Sequence, residues 1–202
     1  MQVEVAKALR EKLNFTAIEL EASTERIVRA ASGRKADDPE FPDIGRPGEI
    51  DIVGWNTFIP QVFVEVKDQI SGSDDGIVAD ILRMQKLLEI AHRWGPGAPQ
   101  SSISRFGAVL YYVGKNSRSY KHGRHLASQF IPFADRTVAT SLRNIGKVIN
   151  SSAFSLLTKK IRVMDSAKDT PGNPELINTE NEEVVSGAEQ FTYCVVCVIY
   201  AK

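Results

Sequence analysis

Between Glu49 and Gln69, five side chains able to bind a cation or move a proton recur at even spacing: Glu49, Asp51, Glu65, Lys67 and Gln69. They lie in or just beyond two runs, EIDIVGW (49–55) and VFVEVK (62–67), both β-branched and alternating, with Asn56 and Pro60 in the segment between. Such runs predict a β-hairpin. If its pairing centres on position 58, Asp51 faces Glu65, Glu49 faces Lys67 and Val53 faces Phe63. The opposite face then pairs Ile50 with Val66 and Ile52 with Val64, a wholly apolar surface, and a one-residue slip would bury the charges. Period-2 geometry gathers the five polar groups on one face. Carboxylates whose side-chain bases stand about 5 Å apart repel each other when both are ionised, unless a cation lies between them or one takes a proton. Hard oxygen ligands of this kind suit Mg²⁺ (or Mn²⁺), held by one or two carboxylates, several waters and a substrate phosphate. A lysine two residues along the same strand can orient a water and offset phosphate charge, so the predicted chemistry is phosphodiester hydrolysis. The competing expectation is a solvated hairpin face laced with cross-strand ion pairs.

The elements that must hold this face follow from periodicity. A chain of 202 residues with 43% hydrophobic and 25% charged side chains reads as one globular domain, 1–202, with a core large enough to need no metal or disulfide staple. Residues 2–13 and 15–31 carry aliphatics at helical spacing, with Asn14 as the break between them. The segment 32–48 holds three prolines and three glycines and predicts a loop. Ile77, Ile81, Met84, Leu88 and Ala91 form a helical stripe over 77–94, stopped by GPGAP. Phe106 to Val113 is an apolar run expected of a strand buried on both faces. Beyond it, 136–160 reads as helix, 165–189 as an acidic loop and 191–200 as a buried strand. The first half is therefore α, β, β, α, β.

At these residues the chain resembles the PD-(D/E)xK, or restriction-endonuclease-like, nuclease superfamily. That family's core is α-β-β-β-α-β, with an Asp on the second strand and E-x-K on the third, matched here by Asp51 and Glu65-Val66-Lys67. GEIDIVG and VFVEVK are similar to small bacterial endonuclease-related proteins, and VRAASGRKADDPEFPD to archaeal Holliday-junction resolvases. The resemblance implies an α/β fold with a mixed sheet flanked by helices, its core at about 15–115 and a helix-and-strand elaboration at about 116–202. It implies that Asp51 and Glu65 hold Mg²⁺ or Mn²⁺ together with the Val66 carbonyl, that Lys67 is catalytic, and that Gln69 matches an E-x-K-x-Q extension. The family often adds a glutamate from its first helix, for which Glu11, Glu19, Glu21 and Glu25 compete. Two departures stand: no first core strand is evident between 31 and 49, and Pro42-Asp43 offers Asp43 as a rival to Asp51. The activity implied is metal-dependent cleavage of DNA in repair, recombination or defence, with a homodimer as one way to cut both strands. The alternative is a non-catalytic nucleic-acid-binding or protein-interaction module that retains the fold.

Charge adds an independent hint. Lys and Arg number 25, as do Asp and Glu, yet residues 101–164 hold eleven basic side chains and one acid, Asp135. Within them, KNSRSYKHGRH (115–125) offers Lys115, Arg118, Lys121 and Arg124 as contacts to DNA phosphate, against the alternative of a solvated basic loop. His122, His125, Cys194 and Cys197 could nominally hold zinc, but strand residues three apart point to opposite faces, so the cysteines are expected to be core. The longest apolar run, 193–201, is too short to cross a bilayer. With no secretory signal at 1–14 and two cysteines, a cytoplasmic protein with no membrane partner is expected.

Overall fold

A computed structural model describes residues 2–34, 37–38, 48–70, 75–94, 105–115, 127–162 and 190–202. The elements in chain order are α1 (Gln2–Leu13), β1 (Ala17–Ser23), α2 (Thr24–Ser32), β2 (Glu49–Asn56), β3 (Ile59–Ile70), α3 (Asp75–Trp94), β4 (Phe106–Lys115), α4 (Ala127–Val148), β5 (Phe154–Arg162) and β6 (Gln190–Ala201). This is a mixed α/β fold built on one six-stranded sheet of order β1-β2-β3-β4-β6-β5. β1, β2 and β3 form an antiparallel meander, β3 and β4 run parallel across the α3 crossover, and β6 is antiparallel to both β4 and β5. No helix among the described residues is long and apolar enough to cross a membrane.

Two apolar clusters explain the layering. On one side Val53, Phe63, Val109, Tyr111, Val195 and Cys197 pack with Ile27 and Val28 of α2, Ile81, Met84 and Leu88 of α3, and Val138 and Ile145 of α4. On the other, Ile52, Val62, Val64 and Ala108 pack with Ala6, Val5 and Leu9 of α1. Burial on both faces is what a near-continuous apolar strand such as β4 requires. Polar ties fix α4: the Tyr111 and Ser141 hydroxyls lie 2.6 Å apart in the interior, while the Gln85 amide donates to the Val148 carbonyl and accepts from the Asn150 N–H. The bond to the Val148 carbonyl caps the end of a helix whose terminal carbonyls have no partner within it.

Two segments differ from the periodicity reading. The expected helix over 15–31 is divided: AIELEAS is strand β1, and α2 begins only after Ser23, whose hydroxyl accepts from the Arg26 N–H at 3.1 Å as an N-cap. Pairing with β2, from Ala17↔Trp55 to Ser23↔Glu49, overrides the helix-forming residues Ala, Glu and Leu. The first strand of the meander thus precedes α2 rather than lying between 31 and 49. The expected helix over 136–160 likewise ends at Val148, and FSLLTKKIR is β5, paired along its length with β6. The acidic 165–189 segment lies outside the described residues.

The hairpin register agrees with the sequence pattern: Ile52↔Val64, Val53↔Phe63 and Gly54↔Val62 pair as expected. Near the turn a bulge shifts the pairing to Trp55↔Pro60 and Asn56↔Ile59, leaving Gln61 as the extra residue. Gly54 is required here by close approach, because a Cβ would stand 2.9 Å from the Phe15 ring. Gly54→Ala is expected to lower stability by about 1–3 kcal/mol through overpacking. A chemical-denaturation midpoint equal to that of the wild type would show instead that the Phe15 ring yields without cost.

Candidate active site

β3 carries Glu65 and Lys67 toward α3, and α3 brings two charged residues down onto them. Asp80 and Arg83, three apart, share one face of the helix. One Arg83 nitrogen, Nη2, donates to Glu65 Oε1 and also, at 2.8 Å, to Asp80 Oδ1. Lys67 Nζ lies 2.9 Å from Asp80 Oδ2 and 3.8 Å from Glu65 Oε2. The four groups form a closed ring of alternating charge. Its members differ in access to solvent: the Glu65 side chain is 2% exposed, Asp80 7%, Arg83 22% and Lys67 36%.

Asp51 stands beside this ring from the neighbouring strand. Its Oδ2 accepts from the Val66 backbone N–H at 2.6 Å, and its Oδ1 from the Gln2 side-chain amide at 2.9 Å. Asp51 is thereby held by β3 on one side and the start of α1 on the other. Asp51, Glu65 and Asp80 bring three carboxylates against two cations, Lys67 and Arg83. Burial pushes Glu65 up to about 8; Arg83 opposes this, the Asp80 and Asp51 charges add to it, and Lys67 opposes it again. The two cations therefore do not compensate the buried acid. For Lys67 burial acts downward, but the hydrogen bond and charge of Asp80, then the charges of Glu65 and Asp51, outweigh it and raise its pKa.

Asp51, Glu65 and Lys67 are thus brought together. The hairpin face is not an open solvated one, however, because α3 covers Glu65. Glu49 is exposed at the start of β2, and Lys67 turns to Asp80. The β3–β4 ladder passes from Lys67↔Tyr111 directly to Gln69↔Tyr112, so a bulge interrupts the alternation that would carry the face on to Gln69. Of the four candidates for a helical glutamate, Glu11 lies exposed on α1, while Glu19 and Glu21 belong to β1 rather than to a helix. Glu25, on α2, pairs with Arg29, and Glu19 pairs with Arg26. The α1 residue that touches Asp51 is Gln2. Lys115 ends β4, whereas Asp43, Arg118, Lys121 and Arg124 lie outside the described residues.

Strand alternation does not point to Asp80 and Arg83, but helical spacing carries a signal: an acid at position 80 falls on the stripe of Ile77, Ile81, Met84 and Leu88 that must face the sheet. A charge at such a position needs a partner when buried. Among the described residues no three His, Cys, Asp or Glu side chains converge tightly enough to hold a metal by themselves. Mg²⁺ does not require three, since one or two carboxylates with water and phosphate suffice. Asp51 and Glu65 supply that number of hard oxygens, and a cation would favour the ionised form of Glu65 that burial opposes, so the residues fit Mg²⁺ or Mn²⁺.

Of the two cysteines, Cys197 lies in the core and Cys194 does not. Cys197 is buried and Cys194 half-buried at positions three apart on β6, and burial pushes the Cys197 thiol up to about 12. Because the thiolate is the reactive form, Cys197 is expected to resist iodoacetamide at pH 8 in the native protein and to react after unfolding in guanidinium. Rapid native alkylation of Cys197, located by peptide mass mapping, would contradict its place in the core.

No protein-family model, curated protein or solved structure matches the chain.

Proposed function

We propose that the protein is a divalent-metal-dependent nuclease that hydrolyses phosphodiester bonds in DNA, with Asp51, Glu65 and Lys67 as its central residues. The observation that carries this is the charge balance of the site: Asp51 on β2 and Asp80 on α3 flank a buried Glu65 on β3, and the two cations Arg83 and Lys67 do not offset its burial. The order α1, β1, β2, β3, α3, β4 supports a restriction-endonuclease-like core in which α2 is an insertion after the first strand. Asp51, Glu65 and the Val66 carbonyl would hold Mg²⁺ or Mn²⁺. When bound, the ion would polarise the phosphoryl oxygen and lower the pKa of a water.

The remaining tasks fall to the protein. Asp80 fixes the Lys67 ammonium on the more exposed side of the ring, where Lys67 can orient the attacking water and stabilise charge that develops on the phosphate. Val66 N–H and Gln2 orient Asp51, leaving less conformational freedom to lose when substrate arrives. The basic 101–164 region would supply phosphate contacts.

One observation favours a second reading, a non-catalytic nucleic-acid-binding or protein-interaction module: Arg83 and Lys67 already contact the oxygens of Glu65 as a self-contained ion-pair network. Incubation of the purified chain with supercoiled plasmid and branched DNA, in Mg²⁺, Mn²⁺ and EDTA, separates the two. Nicking that requires the metal supports the nuclease. DNA binding without cleavage in either metal supports the module.

A further inference from the structure

We infer that Arg83 is the resident counter-ion of Glu65, and that Glu65 accepts a divalent cation only by exchanging this guanidinium for it. The inference rests on the proposed metal site and concerns what controls its occupancy. Both Glu65 oxygens face cations of the chain, Oε1 toward Arg83 and Oε2 toward Lys67, and the side chain is almost wholly buried. A second cationic centre brought to Oε1 would meet Nη2 at close range, where like charges shielded from water repel strongly. Glu65 therefore holds one or the other.

The surroundings of Arg83 are suited to exchange. Gly48 leaves room for the guanidinium, since a Cβ there would stand 3.0 Å from Nη1. Gly48 is itself pinned by Thr24, whose hydroxyl donates to its carbonyl at 2.9 Å and accepts from its N–H at 3.1 Å. Among the described residues the buried Arg83 Nε has no hydrogen-bond partner, so the docked guanidinium is incompletely satisfied by them. Departure from Glu65 need not strand the charge, because Asp80, three residues earlier on α3, already accepts from the same Nη2. The arrangement is that of a guanidinium able to pivot from two carboxylates onto one.

The test uses the full chain and Mn²⁺ as probe, with free Mn²⁺ read by its electron paramagnetic resonance signal. Arg83→Gln is expected to bind Mn²⁺ at least about tenfold more tightly than wild type, because the competing charge is gone. Adding Glu65→Gln to Arg83→Gln should abolish the gain. Arg83→Gln also leaves buried acids uncompensated, so a second measurement needs no variant: in wild type the ¹⁵N resonance of Arg83 Nε should shift saturably as Mg²⁺ is added. Equal Mn²⁺ affinity in wild type and Arg83→Gln, both lost with Asp51→Asn or Glu65→Gln, would overturn the exchange and leave the metal site standing. So would an unmoved Arg83 resonance at Mg²⁺ saturation. Mn²⁺ binding in wild type and Arg83→Gln that is indifferent to Asp51 and Glu65, or no binding in either, would overturn both the exchange and the metal site.

Discussion

Asp51→Asn and Glu65→Gln are each expected to lower metal-dependent plasmid nicking by about a hundredfold to a thousandfold, the range for loss of a group that stabilises charge at the reacting centre. Neither change should unfold the protein. An asparagine at 51 keeps an oxygen that can accept from the Val66 N–H at the position Oδ2 now holds. A glutamine at 65 keeps an oxygen for Arg83 and resembles the neutral form that burial favours by pushing Glu65 up to about 8. What both variants lose is an anionic ligand for a hard cation, and an amide replaces it poorly because the ion's affinity follows ligand charge. Circular dichroism and a thermal melt establish matched folding, and nicking is then compared across Mg²⁺ concentrations. Full activity in both folded variants would remove Asp51 and Glu65 from the chemistry, and with them the nuclease assignment.

Asp51, Glu65 and Lys67 lie on consecutive strands, and strict alternation around Ile52, Val64 and Val53 leaves one register that keeps the apolar face whole. Local pattern carries that information. Asp80 and Arg83 reach the same place through the α3 crossover, Arg83 standing 18 residues beyond Glu65, and Gln2 arrives from 49 residues before Asp51. Their convergence depends on how helices lie on the sheet, which spacing alone does not encode. β1 was hidden for a related reason. Glu19, Glu21 and two alanines favour helix locally, and only the β2 edge, by pairing six of their segment's residues, makes the strand preferable. Glu21 adopts φ +53 within this strand, a conformation that helix or strand propensities do not anticipate. The bulge between Lys67 and Gln69 is similarly invisible to a period-2 count, and it breaks the regular register there.

Lys67→Ala should lower kcat by about a hundredfold to a thousandfold while changing KM far less, because its contribution belongs to the transition state rather than to docking. The geometry supports that split. Lys67 is anchored by Asp80 at 2.9 Å and by the charge of Glu65 at 3.8 Å, and these interactions hold its pKa up against burial. The ammonium therefore stays cationic, suited to offset phosphate charge and to donate a hydrogen bond rather than to accept a proton. Asp80→Asn leaves Lys67 present but replaces its charged anchor with an amide, so turnover should fall by a smaller factor, about tenfold, again mainly in kcat. Combining the two changes provides the discriminating measurement. If Asp80 acts by holding Lys67, the double variant Asp80→Asn/Lys67→Ala should be no slower than Lys67→Ala alone, because no ammonium is left for Asp80 to position. Fully multiplicative losses would show that Asp80 acts independently of Lys67, and a Lys67→Ala enzyme that loses DNA affinity but keeps its turnover would move the lysine from catalysis to substrate docking.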